Sequence, residues 1–259
     1  MKHLIALITL HLLAGNLGCI AVDVTSRAES PSTVKADNKP NWEFTPNPAL
    51  PNVLILGDSI SIGYTLPVRE LLQGKANVFR PLLPDEKKPA NCAGTTQSLK
   101  QIDQWLAGRK WAVIHFNWGL HDLKHVVTPG SSQNSNRSED PVQATVEEYS
   151  RNLEVLVGKL KATGAQLIFA TTTPVPPGST NPLREVDAPA RYNAAALKIM
   201  KDWHIPVNDL FAFCEPRLER LQFPKNVHFN PEGCLALAKQ VAAVIETSLA
   251  ESAKQTRIP

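Results

Sequence analysis

From residue 52 onward, apolar residues fall in two alternating rhythms: short unbroken runs, and longer stretches with helical spacing. The first run, Val53-Leu54-Ile55-Leu56, lies between Pro51 and Gly57. It is too short for a helix and lacks polar alternation, so it predicts a strand buried on both faces. Further strands are predicted over 76–80, 111–116, 166–173 and 205–210, the fourth ended by Pro174-Val175-Pro176-Pro177. Between them a short helix is predicted over 67–74, where Val68, Leu71 and Leu72 precede Gly74. A second is predicted over 97–107, with Leu99, Ile102 and Leu106 on one face and Thr95 or Thr96 as cap. A third spans 142–163, where Val146, Tyr149, Leu153, Leu156 and Leu160 recur before Gly164. A fourth covers 188–203. The last begins at Asn230-Pro231-Glu232, a cap, a first-turn proline and an acid at the positive helix end, and carries Val241, Val244, Ile245 and Leu249 toward the sheet. This alternation builds βαβ units, so the expected fold class is α/β with a mainly parallel five-stranded sheet. The polar stretch 127–141 interrupts it, either as a surface excursion or as a flap over a site.

Composition narrows the picture. A chain of 259 residues with 43% hydrophobic and 20% charged residues fits one large domain. A net charge of +3 with no basic stripe excludes nucleic acid as the expected partner. At the N-terminus, Met1-Lys2-His3 precedes the apolar run Leu4 to Leu13 and the small residues Gly15, Gly18, Cys19 and Ala21, the pattern of an export signal over 1–21. Leu17-Gly18-Cys19 resembles the end of a lipoprotein signal, which would lipidate Cys19, although Asn16 stands where an aliphatic residue is usual; cleavage after Ala21 is the competing reading. A secreted, periplasmic or envelope-attached location is expected. Residues 22–51 read as a tether of low order, 52–251 as the folded domain and 252–259 as a tail, and no later segment is expected to span a membrane. Cys92, Cys214 and Cys234 are either small buried apolar residues or, for Cys214 and Cys234, a disulfide pair. His115, His125 and His204 lack ligand spacing, so neither metal nor cofactor is expected.

The candidate chemistry sits where strands end. Gly57-Asp58-Ser59 follows the first strand, Gly94 the second, and Asn117-Trp118-Gly119-Leu120-His121-Asp122 the third, while His228 precedes the final helix. In open α/β sheets such carboxyl ends form the binding crevice. Taken alone, Gly57-Asp58-Ser59 reads as a turn with a helix cap, and Gly94 as a loop glycine.

In order and spacing, these four blocks resemble the SGNH, or GDSL-like, hydrolase family over most of 52–249. The resemblance implies a flavodoxin-like three-layer α/β/α sandwich that hydrolyses esters, including acylated carbohydrates. It makes Ser59 the nucleophile and His228 its base, with the Ser59 and Gly94 backbone N–H groups receiving the oxyanion. The sequence departs from the family pattern twice. Where Gly-x-Asn-Asp is usual, this chain has Gly119-Leu120-His121-Asp122, so His121 becomes the candidate third donor, with Asn117 as a substitute. Where Asp-x-x-His is usual, it has Lys225-Asn226-Val227-His228, so no carboxylate stands three residues before the base. Asn226 is the candidate to orient His228, and Asp209 and Asp122 are the alternatives for the missing acid. Arg191, Tyr192 and Trp118 read either as substrate contacts or as ordinary surface and core residues. The expected function is therefore a serine esterase acting through an acyl-enzyme on a small-molecule or carbohydrate ester. The rival is a non-catalytic carbohydrate-binding or scaffolding protein on the same fold.

Overall fold

A computed structural model describes residues 42–84 and 87–255. Five parallel strands form one sheet: β1 (Asn52–Leu56), β2 (Asn77–Phe79), β3 (Val113–Phe116), β4 (Gln166–Ala170) and β5 (Val207–Asn208), in the order β2-β1-β3-β4-β5. The register pairs Val53 with both Val78 and Val113, and Ile114 with Leu167, so the aliphatic runs seen in the sequence lie side by side. Val53 to Leu56 and Val113 to Phe116 are buried, as strands covered on both faces must be.

The long helices are α1 (Ser59–Leu71), α2 (Thr95–Leu106), α3 (Val146–Lys161) and α4 (Ala188–Asp202); short α5 (Leu210–Cys214) and α6 (Leu218–Leu221) precede α7 (Pro231–Gln255). The chain steps from β1 outward to β2, then crosses back to β3, β4 and β5. Right-handed crossovers then put α1 on one face and α2, α3 and α4 on the other. Accordingly α1 packs on α7, α2 on α3 and α3 on α4, giving the α/β/α sandwich. The α1–α7 contact is close: a Cβ on Gly63 would stand 3.0 Å from Cys234 Sγ.

Several expectations need correction. Helix α1 begins at Ser59 rather than residue 67, because Asp58 Oδ1 caps it by accepting from the Ile60 N–H at 2.9 Å. Pro67 lies inside it, where its missing N–H forfeits one bond, while the buried face of Ile60, Tyr64 and Val68 holds the helix on the core. Helix α3 starts later than predicted, at a capping box in which Thr145 accepts from Glu148 N–H and the Glu148 carboxylate accepts from Thr145 N–H. Cys92, Cys214 and Cys234 are free thiols, so the pairing of Cys214 with Cys234 does not form; Cys234 Sγ donates instead to the Phe229 carbonyl. The segment Pro231–Ser252 is long and apolar enough to cross a membrane, contrary to the reading that none later in the chain is, yet its Leu237, Ala238, Val241, Ala242 and Ile245 are buried in the fold. That helix also runs to Gln255, into the stretch read as tail.

The export signal and most of the tether lie outside the described residues. Residues 42–51, expected to have low order, are held on the domain. Phe44 packs on Phe79 at 4.9 Å between centroids, with the Arg69 guanidinium 4.2 Å above its ring. Asn77, buried at the start of β2, donates to the carbonyls of Asn47 and Leu50 and accepts from Asn47 N–H. Irregular backbone pinned by one buried amide leaves no periodicity to read. Asn77→Ala should therefore cost about 2 kcal/mol. It should also open residues 42–51 to protease, measured by denaturant midpoint and limited digestion; unchanged protection would return the segment to a tether.

Candidate active site

Strand order reverses between β1 and β3, and the residues following these two strands share one crevice. Ser59 is the first residue of α1, directly after its cap, so its N–H has no carbonyl one turn back to receive it. The preceding turn is held by Arg80, buried at the end of β2. Its guanidinium donates to the Gly57 carbonyl at 2.6 Å, to Ser61 Oγ at 2.7 Å and to the Ala90 carbonyl at 2.9 Å. Sequence reasoning missed Arg80, which reads only as a charge before Pro81.

Ser59 Oγ lies 2.8 Å from His228 Nε2. On the far side of the ring, His228 Nδ1 lies 2.7 Å from Asn226 Oδ1, which also accepts the His228 backbone N–H at 3.0 Å. Because the backbone N–H can only donate, the Asn226 atom facing it must be the amide oxygen. The ring proton therefore sits on Nδ1, and Nε2 is left as an acceptor for the Ser59 hydroxyl. The loop is tied at its base. Phe223 N–H donates to the His228 carbonyl, Asn226 N–H donates to the Phe223 carbonyl, and the buried Gln222 amide bridges the carbonyls of Pro174 and Val227. Lys225 takes a left-handed turn at φ 57°, setting Asn226 and His228 on the same side of the loop.

The two alternative acids are engaged elsewhere. Asp209 caps α5 through Ala212 N–H and accepts from Thr171 Oγ1. Asp122 accepts from Thr95 N–H at 2.8 Å and from the Thr95 hydroxyl. It thereby ties the start of α2 to the loop after β3, and Gly94 passes so near that a Cβ there would stand 3.0 Å from Asp122 Oδ1. Burial pushes the Asp122 carboxyl up to about 7, against the Thr95 bonds that lower it, and its Oδ2 is buried with no partner. Gly119 is equally constrained: a Cβ would lie 2.0 Å from Thr172 Oγ1.

His121 lines the crevice with Ser59 and His228. Burial, opposed by Asp58 and reinforced by Lys124, Arg184 and His228, lowers its pKa to about 4, so its imidazole is neutral at pH 7 and still offers one N–H. Asn117, offered as a substitute donor, turns the other way: its amide N–H donates to the Ala170 carbonyl at 2.8 Å, closing the ends of β3 and β4. Trp118 is fully buried against Phe116 and does not line the crevice. Tyr192 is buried and donates to the Ala144 carbonyl, while Arg191 pairs with Glu185 and Asp187 at the surface. His115 is buried beside Asn208, and burial lowers its pKa to about 3. Among the described residues no cluster of His, Cys, Asp or Glu is arranged to hold a metal.

The crevice encloses about 500 Å³ between the 178–184 and 225–228 loops and residues Asn91, Lys124 and Asn134. Asn134 comes from the polar excursion, which is pinned rather than free: Ser135 N–H donates to the His125 carbonyl, Leu183 N–H to the Ser135 carbonyl, and His125 Nδ1–H to the Asp140 carbonyl. A serine hydroxyl on an oriented imidazole, at the first turn of a helix, is an arrangement that can attack a carbonyl carbon.

Residues 55–235 match the GDSL-like Lipase/Acylhydrolase family. The chain belongs to this family. It is an SGNH-type hydrolase, and esters are its substrate class. No curated protein sequence matches it. Among solved structures the family fold recurs in the lipase/acylhydrolase from Enterococcus faecalis, with a TM-score of 0.60, 17% identity, and 76% of this chain and 96% of that one covered. An acetyl xylan esterase, AlAXEase, aligns with a TM-score of 0.58 at 13% identity, covering 75% and 99%. A catalytic mutant of Axe2, an acetylxylan esterase from Geobacillus stearothermophilus, aligns at 0.56 and 16% identity, covering 76% and 93%.

The buried Asp122 carboxyl gives this GDSL-like hydrolase a pH signature. Its folded pKa of about 7 lies above the 3.8 of an unperturbed group. The folded state therefore binds more protons between these values, and stability falls as pH rises toward and through 7. Wild-type protein should lose denaturant stability relative to Asp122→Asn between pH 5 and pH 8. A difference independent of pH would show that the carboxyl does not titrate there.

Proposed function

We propose that this hydrolase cleaves carboxylic esters through an acyl-enzyme on Ser59. His228 Nε2 takes the proton as Ser59 Oγ attacks the ester carbonyl carbon. The N–H groups of Ser59 and Gly94 and the neutral imidazole of His121 receive the oxyanion, where fixed donors act most strongly. Collapse expels the alcohol, protonated by His228, and leaves Ser59 acylated. His228 then deprotonates a water that attacks the acyl carbon, and the acid departs as Ser59 regains its proton. The observation that carries this reading is the 2.8 Å contact between Ser59 Oγ and His228 Nε2. A purely binding protein would have no need of a serine at a helix start and a tautomer-fixed imidazole on one crevice.

Asn226 takes the orienting role. In serine triads, replacing the acid by asparagine costs on the order of 10⁴ in rate because the imidazole is left in the wrong tautomer. Here the amide oxygen faces Nδ1, so the tautomer is retained and only the stabilisation of the cationic imidazole is reduced. The substrate we favour is an acyl group on a carbohydrate: the crevice is open and polar, and two similar folds belong to acetyl xylan esterases. Export through residues 1–21, with or without a lipid on Cys19, would bring the enzyme to extracytoplasmic glycans.

A fluorophosphonate probe should label wild-type protein and fail to label Ser59→Ala, which should also lose turnover of 4-nitrophenyl acetate. Absence of labelling and turnover in the wild type would remove the proposal. Asn226→Asp should raise kcat about tenfold, the difference between a neutral and a charge-assisted hydrogen bond to the imidazole. Asn226→Ala should lower it by at least as much, and equal rates in all three proteins would take Asn226 out of the mechanism.

A further inference from the structure

The crevice holds two buried cations that form no ion pair among the described residues. Lys124 is 6% exposed, and its ammonium donates to the amide oxygen of Asn134 at 2.8 Å. Arg184 is 9% exposed, and its Nε–H donates to the Leu120 carbonyl at 2.8 Å. Among the described residues neither forms an ion pair. A buried charge without a partner is costly, and proteins keep such charges mainly where something else will neutralise them.

The acids whose fields reach these cations are already engaged. Asp58, felt by Arg184, caps α1, and Asp122, felt by Lys124, is bound to Thr95. The cations also act on each other: burial first, then Arg184, lowers the pKa of Lys124, while burial brings Arg184 down to about 10. Lys225 adds a third, exposed cation at the rim, its stem lying against Gly178. No Asp or Glu lies among the described residues lining the crevice. With a net charge of only +3 over the whole chain, this concentration is local to the site.

We infer that the crevice selects an ester carrying an oxyanion group on its acyl or alcohol half, seated on Lys124 and Arg184 while the ester carbonyl meets Ser59. This rests on the hydrolase reading above and specifies its substrate. An acylated saccharide with a carboxylate meets the requirement on the alcohol half, and a dicarboxylic half-ester meets it on the acyl half.

Two matched pairs test it: acetylated methyl glucuronoside against acetylated methyl glucoside, and mono-4-nitrophenyl succinate against 4-nitrophenyl butyrate. In at least one pair, kcat/KM for the anionic member should exceed that of the neutral one by about tenfold or more at low ionic strength, mainly through KM. The preference should shrink with added sodium chloride. It should fall to near unity in Lys124→Gln combined with Arg184→Gln, and persist in Arg184→Lys, which keeps the charge and reports whether the fold tolerates the change. Equal turnover within both pairs, or a preference that survives the double substitution, overturns the inference while the hydrolase reading stands. Calorimetry on Ser59→Ala with the same compounds separates the two ideas. Tighter binding of an anionic member without turnover by the wild type supports the anion seat and removes the hydrolase reading. No preference in binding or turnover removes the seat.

Discussion

The site depends on the reversal of strand order at β1. With β2 on one side and β3 on the other, the chain leaving β1 and the chain leaving β3 diverge to opposite helical layers, and a crevice opens between them at the sheet's carboxyl edge. Three of the residues proposed to act line that gap: Ser59 on the first turn of α1, His121 after β3, and His228 on the loop entering α7. The helices that carry Ser59 and follow His228 pack directly on each other through the Gly63–Cys234 contact. The serine–imidazole distance is thus set by a buried helix–helix interface as well as by the loops.

Holding these loops requires charge in the interior. Arg80 satisfies carbonyls of the turn before Ser59, and Asp122 ties the loop after β3 to α2. Burying such groups is expensive; in return Arg80 donates to three backbone carbonyls, and Asp122 accepts from the Thr95 N–H and hydroxyl. Such polar cross-links have directional requirements that apolar packing lacks. They therefore specify where the Ser59 and Gly94 amides point more tightly than the hydrophobic core alone can.

Much of the fold was legible because burial on both faces leaves its mark on sequence: the apolar runs of β1 and β3 and the spacing of Tyr149, Leu153, Leu156 and Leu160 in α3 correspond to the observed elements. What escaped was set by side chains acting on distant backbone. The start of α1 depends on the Asp58 cap, and the packing of residues 42–51 on Asn77, neither of which has a period. At the site, the order of blocks brought Ser59, Gly94, His121, Asn226 and His228 into view; Ser59, His121, Asn226 and His228 line one crevice, while Gly94 lies against Asp122. It turns Asn117 and Trp118 away, because residues at a strand's end alternate faces and those two face the sheet's own layers. Arg80, Lys124 and Arg184 were illegible for a different reason: a lone cation in sequence looks like solvated surface, and only burial distinguishes it.

The neutral Asn226 and the uncompensated cations bear on one another. In the proposed mechanism the first transition state separates charge, positive on the His228 ring and negative on the carbonyl oxygen. A carboxylate at position 226 would stabilise the positive end; an amide does so only through its dipole. Lys124 and Arg184 favour the negative end but disfavour a second positive charge nearby, as their lowering of the His121 pKa illustrates. A neutral ester leaves that opposition in place. An anionic one, seated on the two cations, supplies the negative charge that the described residues lining the crevice do not. Selectivity for such a substrate would then rest on binding, while orientation of the His228 ring is left to the neutral Asn226 amide.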